Sequence, residues 1–417
     1  MMIARWMAGV ALASCAAVLQ PAAAQVHEAP HWVTTWMAAP QPLWGPDFIL
    51  PLGAPTRLSN QTLRQHLRIS VGGERLRLVI SNEHGTEPLH VAAAGVAVSR
   101  STQHIDPATD RPVWFAGQRQ TTVAPGARAV SDPIDLRVTD RTRLAVSLFI
   151  PSAALAGFHF DARDTLLSAP GNAVHRPHWD TGAGDLATRA FVAAVSVERP
   201  RATAAVVALG DSITDGNGST PSADRRWPDA LADRLAARGV AVLNAGISGN
   251  RLLRDGMGHS GLARVARDVF GQREVRTLVV LLGTNDIGWP GGPFAPDEPA
   301  VTPQELIDGL RQLIAQARMQ RVRIVGATLP PFEGALEGTP LEGHHSPAKD
   351  ATRQALNRWI RASREFDAVV DFDHLLRDPA RPSRLASRYD SGDHLHPNDA
   401  GYRAMAELLD RSGALGL

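Results

Sequence analysis

Only one cysteine (Cys15), one lysine (Lys349) and two tyrosines occur among the 417 residues. A single thiol excludes an intrachain disulfide and every CxxC-type zinc or redox site. The formal net charge is +1, so no concentrated basic field exists to draw nucleic acid or an anionic membrane. No P-loop is present, and the main nucleotide readings fall away with it. Beyond the extreme N-terminus, no apolar run could span a membrane. What remains is an ordinary globular composition, 44% hydrophobic and 20% charged. It argues against long disorder and, at this length, for two or three domains.

The chain opens MMIARWMAGVALASCAAVLQPAAAQ. Arg5 supplies a positive start, Trp6 to Leu19 a short apolar core, and Ala22-Ala23-Ala24 a small-residue site. That layout predicts a secretory signal peptide over residues 1–24. The run is too short for a span and is broken by Gln20 and Pro21. In an alternative reading, Leu12-Ala13-Ser14-Cys15 resembles a bacterial lipoprotein box, and Cys15 would carry a lipid anchor. The expected location is secreted or periplasmic, with lipid anchorage as the alternative.

Residues 25–200 read as β-structure. LRQHLRISVGG, RLRLVISNEHG, LHVAAAGVAVS and RTRLAVSLFIP alternate apolar residues near period two, with Gly-Gly, Asn-Glu-His-Gly and Pro-Gly-Ala turn signals between them. They predict an all-β sandwich. From 201 to 417 the pattern changes. Short apolar runs at Ala204–Leu209, Val240–Leu243, Leu278–Leu282, Val322–Leu329 and Val369–Phe372 alternate with amphipathic segments. These include Trp227–Arg238, a helix after Thr302, Thr352–Arg364 and Asn398–Ser412. The alternation predicts a parallel sheet covered on both faces, with its site in loops beyond the strands' carboxyl ends.

Four loops carry chemistry. Gly210-Asp211-Ser212-Ile213-Thr214 follows the first run, and Ser212 is either a plain helix N-cap or a nucleophile. Asn244-Ala245-Gly246-Ile247-Ser248-Gly249-Asn250 follows the second; a glycine there is a turn residue or lets a backbone N–H approach an oxyanion. Gly283-Thr284-Asn285-Asp286 follows the third, and the Asn285 amide suits a neutral donor for developing negative charge. Asp390-Ser391-Gly392-Asp393-His394-Leu395-His396-Pro397 precedes the last helix. There Asp393 could orient His396, leaving the other ring nitrogen to take a proton from Ser212. Pro397 suits the first turn of the closing helix.

In order and wording, GDSITDG, NAGISGN, GTNDIG and DHLHP resemble the blocks of the SGNH (GDSL) hydrolase family over roughly residues 204–412. The resemblance implies a three-layer α/β/α, flavodoxin-like domain with a five-stranded parallel sheet. It implies Ser212 as nucleophile, His396 as general base and acid, and Asp393 as its orienter. The N–H groups of Ser212 and Gly249 and the side chain of Asn285 would form the oxyanion hole. HWVTTWMAAPQ and the runs after it resemble a secreted subgroup with an N-terminal β-sandwich. Together these imply a secreted serine esterase cleaving short-chain acyl, above all acetyl, esters of a small molecule or oligosaccharide, with no cofactor.

Other features are weaker. His27-Glu28-Ala29-Pro30-His31 spells a zincin motif, but Pro30 sits where a helix would be needed. His344 and His345, in a Gly/Pro-rich stretch, read as solvated, and no metal site is expected. Trp289 and Phe294 are candidate substrate-binding residues at the rim, where an indole could stack on a sugar ring, whereas Trp227 and Trp359 fall at helical core spacing. Two rival functions stay open. In one, the sandwich makes the chain chiefly a carbohydrate binder. In the other, Asp211, Asp215, Asp286 and Asp393 serve glycosidic cleavage, which needs paired carboxylates. A broad-specificity lipase or esterase is a third possibility within the ester class.

Overall fold

The computed structural model describes residues 31–45, 48–160, 166–179, 184–186, 188–201 and 203–417. The expected signal peptide, Cys15 and residues 27–30 of the zincin-like string lie outside them. Among the described residues, no helix is long and apolar enough to cross a membrane, and no cluster of His, Cys, Asp or Glu could hold a metal ion.

The N-terminal region is antiparallel β-structure, as the period-two runs predict. Its six-stranded sheet centres on two long partners, Arg57–Arg68 and Arg143–Ala154. A four-stranded sheet holds His31–Met37, Val192–Arg199, Leu76–Ser81 and Arg128–Val130 in that order. One strand carries an unexpected guest: Arg64 is fully buried. Its guanidinium lies over Trp179 and donates to Ser147 Oγ and to the carbonyls of Val174 and Arg176. Desolvation pulls its pKa down to about 10.

The C-terminal region forms the five-stranded parallel sheet. Its strands are Ala205–Gly210, Ala241–Gly246, Val275–Leu281, Arg323–Ala327 and Ala368–Val370. In space the second strand lies outermost beside the first, then come the third, fourth and fifth. That is the flavodoxin-like order. Helices Trp227–Leu235 and Asp399–Arg411 pack together, as do Pro303–Met319 and Pro347–Ala362. Their starts follow local chemistry: Thr302 and Glu305 make a reciprocal capping box, and Asn398 Oδ1 accepts from Ala400 and Gly401 N–H. Pro397 departs from expectation. It precedes the Asn398 cap, outside the closing helix, and bridges to Asp390 instead.

One continuous apolar core runs through both regions, from Val33 to Leu415. Strand His31–Met37 packs on the outermost parallel strand, Ala241–Gly246, and the Val242 N–H donates to Ser70 Oγ at 3.1 Å. An edge strand that would otherwise face solvent is thus covered.

Candidate active site

Ser212 begins a one-turn helix, Ser212–Asp215, at the end of the first parallel strand. It is not the N-cap; Asp211 is, its Oδ1 accepting the Ile213 N–H at 3.0 Å. Ser212 Oγ meets His396 Nε2 at 2.8 Å. On the other side of the ring, His396 Nδ1 lies 2.6 Å from Asp393 Oδ2. The backbone N–H groups of Leu395 and His396 also donate to Asp393 Oδ1. Burial alone would raise the Asp393 pKa, but the hydrogen bond and charge of His396 and these two N–H groups hold it far below the usual carboxylate range. The ionised carboxylate therefore accepts the Nδ1–H hydrogen bond, which keeps that proton on Nδ1 and leaves Nε2 to accept from the serine hydroxyl.

Around Ser212, donors lack acceptors. Among the described residues, neither the Ser212 N–H nor the Gly249 N–H has an acceptor in the protein. Asn285 spends one amide hydrogen on the Asn250 carbonyl at 3.0 Å, so the second is unspent. Gly249 is required twice over. Its φ is +72°, and a Cβ there would stand 2.2 Å from Met257 Sδ.

Ser212, Gly249, Asn285 and His396 line a cleft with about 480 Å³ of empty space. Leu50, Phe160, Met257, Trp289, Phe294, Leu336, Leu341 and Leu395 make most of its wall apolar. Leu50 and Phe160 come from the β-rich region. Both rim candidates are present, but Trp289 is only 3% exposed. It stacks on Phe294 at 4.6 Å and lies under the Arg251 guanidinium. No indole face is open for a sugar ring.

His344 departs from expectation. It is buried on the cleft wall, not solvated. Burial, with the neighbouring charges of Lys349 and His396, drives its pKa down to about 3. It adds a neutral imidazole. His345 is half-buried.

None of the four carboxylates offered for glycosidic cleavage lines the cleft. Asp211 caps its helix, and burial pushes its carboxyl up to about 7. Asp286 accepts from the N–H groups of Leu252 and Leu253, and burial raises it to about 6. Asp215 and Asp393 are each engaged by a histidine.

Sequence reasoning missed Arg264, which is fully buried behind the loops. It donates to the carbonyls of Gly210 and Ala245 and to Asn250 Oδ1, and pairs with Asp268. It thereby ties the first two strand ends together. Its signal was a lone charge on the apolar face of Gly261–Val265. Gly256-Met257-Gly258-His259-Ser260-Gly261, also passed over, spells a dinucleotide fingerprint. It lacks the required strand-turn-helix setting, since it ends at a five-residue helix well after the strand.

Residues 208–404 match the model of the GDSL-like Lipase/Acylhydrolase family. This half of the chain belongs to that family. The GDSL-like half is a carboxylic ester hydrolase. Among solved structures, it is similar to a carbohydrate acetylesterase from Sinorhizobium meliloti, with 18% identity, TM-score 0.39, and coverage of 51% of this chain and 100% of that one. A GDSL-like lipase from Bacteroides thetaiotaomicron gives 21% identity, TM-score 0.38, and coverage of 51% and 89%. The aryl esterase of M. smegmatis gives 17%, 0.38, and 50% and 98%. No curated protein matches the chain.

Proposed function

We propose that the chain is a serine esterase acting on short-chain acyl esters of small uncharged molecules. The observation that carries this reading is one hydrogen-bonded line, Asp393 to His396 to Ser212, ending beside three donors without acceptors. His396 takes the Ser212 proton as Oγ attacks the ester carbonyl. The N–H groups of Ser212 and Gly249 and the free Asn285 hydrogen receive the oxyanion. The protonated imidazole then hands its proton to the departing alkoxide. Water, deprotonated by the same histidine, releases the acid and restores the serine.

The apolar wall and the neutral His344 favour an uncharged substrate with an apolar portion. Acetyl groups on carbohydrate fit the small cleft less well, because Trp289 offers no stacking face. We further infer export, from Arg5, the apolar run and Ala22-Ala23-Ala24, and a division into an accessory β-domain (25–200) and a catalytic domain (201–417).

Ser212→Ala should abolish release of 4-nitrophenol from 4-nitrophenyl acetate, with a loss on the order of 10⁴–10⁶ in kcat. Wild-type turnover in that variant would sink the serine reading. Acetate release from acetylated oligosaccharides, without new reducing ends, would bring back the carbohydrate version.

A further inference from the structure

We propose that His159, which lies outside the hydrolase half, is a positioning residue for the oxyanion site and acts through Asp215 and Ser248. The inference rests on the serine-esterase reading and extends it to the β-rich region.

His159 ends the short strand Gly157–His159 and is only 6% exposed. Its Nδ1 faces the Ala39 carbonyl at 3.0 Å. Its Nε2 faces Asp215 Oδ1 at 3.0 Å. A carbonyl can only accept, so Nδ1 carries a hydrogen, and a further proton sits between Nε2 and the Asp215 carboxyl. The ring is fixed from both ends.

Asp215 is itself 1% exposed, three residues after Ser212 on the same helical turn. Its second oxygen accepts the Ser248 N–H at 3.1 Å and the Ser248 hydroxyl at 2.8 Å. Ser248 immediately precedes Gly249, whose free N–H lies on the cleft. One buried line thus joins the β-rich region to the nucleophile's turn and to the loop that supplies a donor. The peptide between Ser248 and Gly249 contains that N–H, so fixing Ser248 fixes where it points.

A second tie reaches the same glycine from the other side. Gln41 Nε2 and Trp44 Nε1 both donate to the Met257 carbonyl, at 2.6 and 2.9 Å, and Met257 packs on Gly249. This tie anchors the outer face of the loop. His159 anchors the face turned toward Ser212.

The geometry sets a test that simple packing would fail. Donors at an oxyanion site act on the transition state, so displacing one lowers kcat more than it changes KM. His159→Leu fills similar space without a donor. It should lower kcat on 4-nitrophenyl acetate roughly 10–100-fold, the cost of moving a reacting geometry by about 1 Å, with KM nearly unchanged. His159→Gln places an amide nitrogen as many bonds from the backbone as Nε2 and should recover most of the lost kcat. His159→Asn reaches only as far as Nδ1 and should stay slow. Should His159→Leu fail to fold, the Gln and Asn variants carry the comparison alone. An Asn variant as fast as the Gln variant overturns the proposal, as does wild-type kcat in His159→Leu.

Labelling with diethyl 4-nitrophenyl phosphate, read by mass spectrometry, separates this inference from its foundation. Slower labelling of His159→Leu, with none in Ser212→Ala, supports the clamp. Wild-type labelling of His159→Leu overturns the clamp alone, whereas labelling of Ser212→Ala overturns the serine reading and the clamp with it.

Discussion

The two halves of this chain serve one cleft in different ways. In the parallel-sheet half, Ser212, Gly249 and Asn285 stand just past the first three strands, and the loop before the closing helix brings His396. Their positions follow from strand order, because loops at the switch point of such a sheet converge. The β-rich half has no such rule. It contributes Leu50 and Phe160 to the wall and His159, Gln41 and Trp44 to the scaffold. These side chains sit on irregular segments and on strands of two and three residues, where nothing in the local sequence announces them. In the proposed reading, chemistry comes from one half, and shape and alignment from both.

The division can be probed from its strongest point downward. In the parallel-sheet half, Asn285→Ala should cost on the order of 10²–10³ in kcat, the loss that its proposed oxyanion role requires. Steady-state kinetics on 4-nitrophenyl acetate measures it, and a loss confined to KM would mean that Asn285 only binds. In the β-rich half, Phe160→Ala should spare kcat on the acetate. It should lower kcat/KM about 10–150-fold on the octanoate, since burying an aromatic face contributes about 1.5–3 kcal/mol. Equal losses on both esters would make Phe160 a packing residue and weaken the division of labour.

The smallest effect concerns the sheet edge that the β-rich half leaves alone. Beyond the fifth parallel strand, Asp371 pairs with Arg361, accepts from Thr328 Oγ1 and caps the helix Phe372–Leu376. Burial would raise its pKa, but the Arg361, Thr328 and His374 hydrogen bonds bring it down to about 2. A depressed carboxylate stabilises the fold above its unfolded value and loses that contribution as pH falls through the folded one. Asp371→Asn should therefore destabilise by roughly 1 kcal/mol at neutral pH, discounted for its partial exposure. The gap should close between about pH 4 and pH 2 in urea titrations, with esterase activity unchanged. A gap that persists at low pH would assign the effect to packing instead.

How much could be read in advance follows the same division. All five parallel strands lie on the short apolar runs, the first three of them leading into Gly-containing turns, and the four chemical blocks surround one cleft. Helix Pro347–Ala362 begins five residues before the expected start at Thr352, because its Ser346 cap and Pro347 are a local signal that was passed over. Pro397 was misassigned because proline is equally at home just before a cap. His344 was read as solvated because its neighbours are Gly and Pro. Its burial comes from packing against Gly288, where a Cβ would be 2.2 Å from Nε2. The carbonyls that Arg264 holds lie 19 and 54 residues away, and the partners of His159 lie 56 and 120 away, distances over which single-sequence periodicity carries no information.

The covered edge strand bears on how the molecule is made. Translation delivers the β-rich half first, and the parallel sheet, with its long crossovers, must assemble later and more slowly. When Ala241–Gly246 emerges, the surface that carries Ser70 and His31–Met37 has already been synthesised. An exposed strand edge is the usual template for pairing with a neighbouring chain. Here that edge is met by cover from its own chain, which occupies the place where a neighbouring strand would pair.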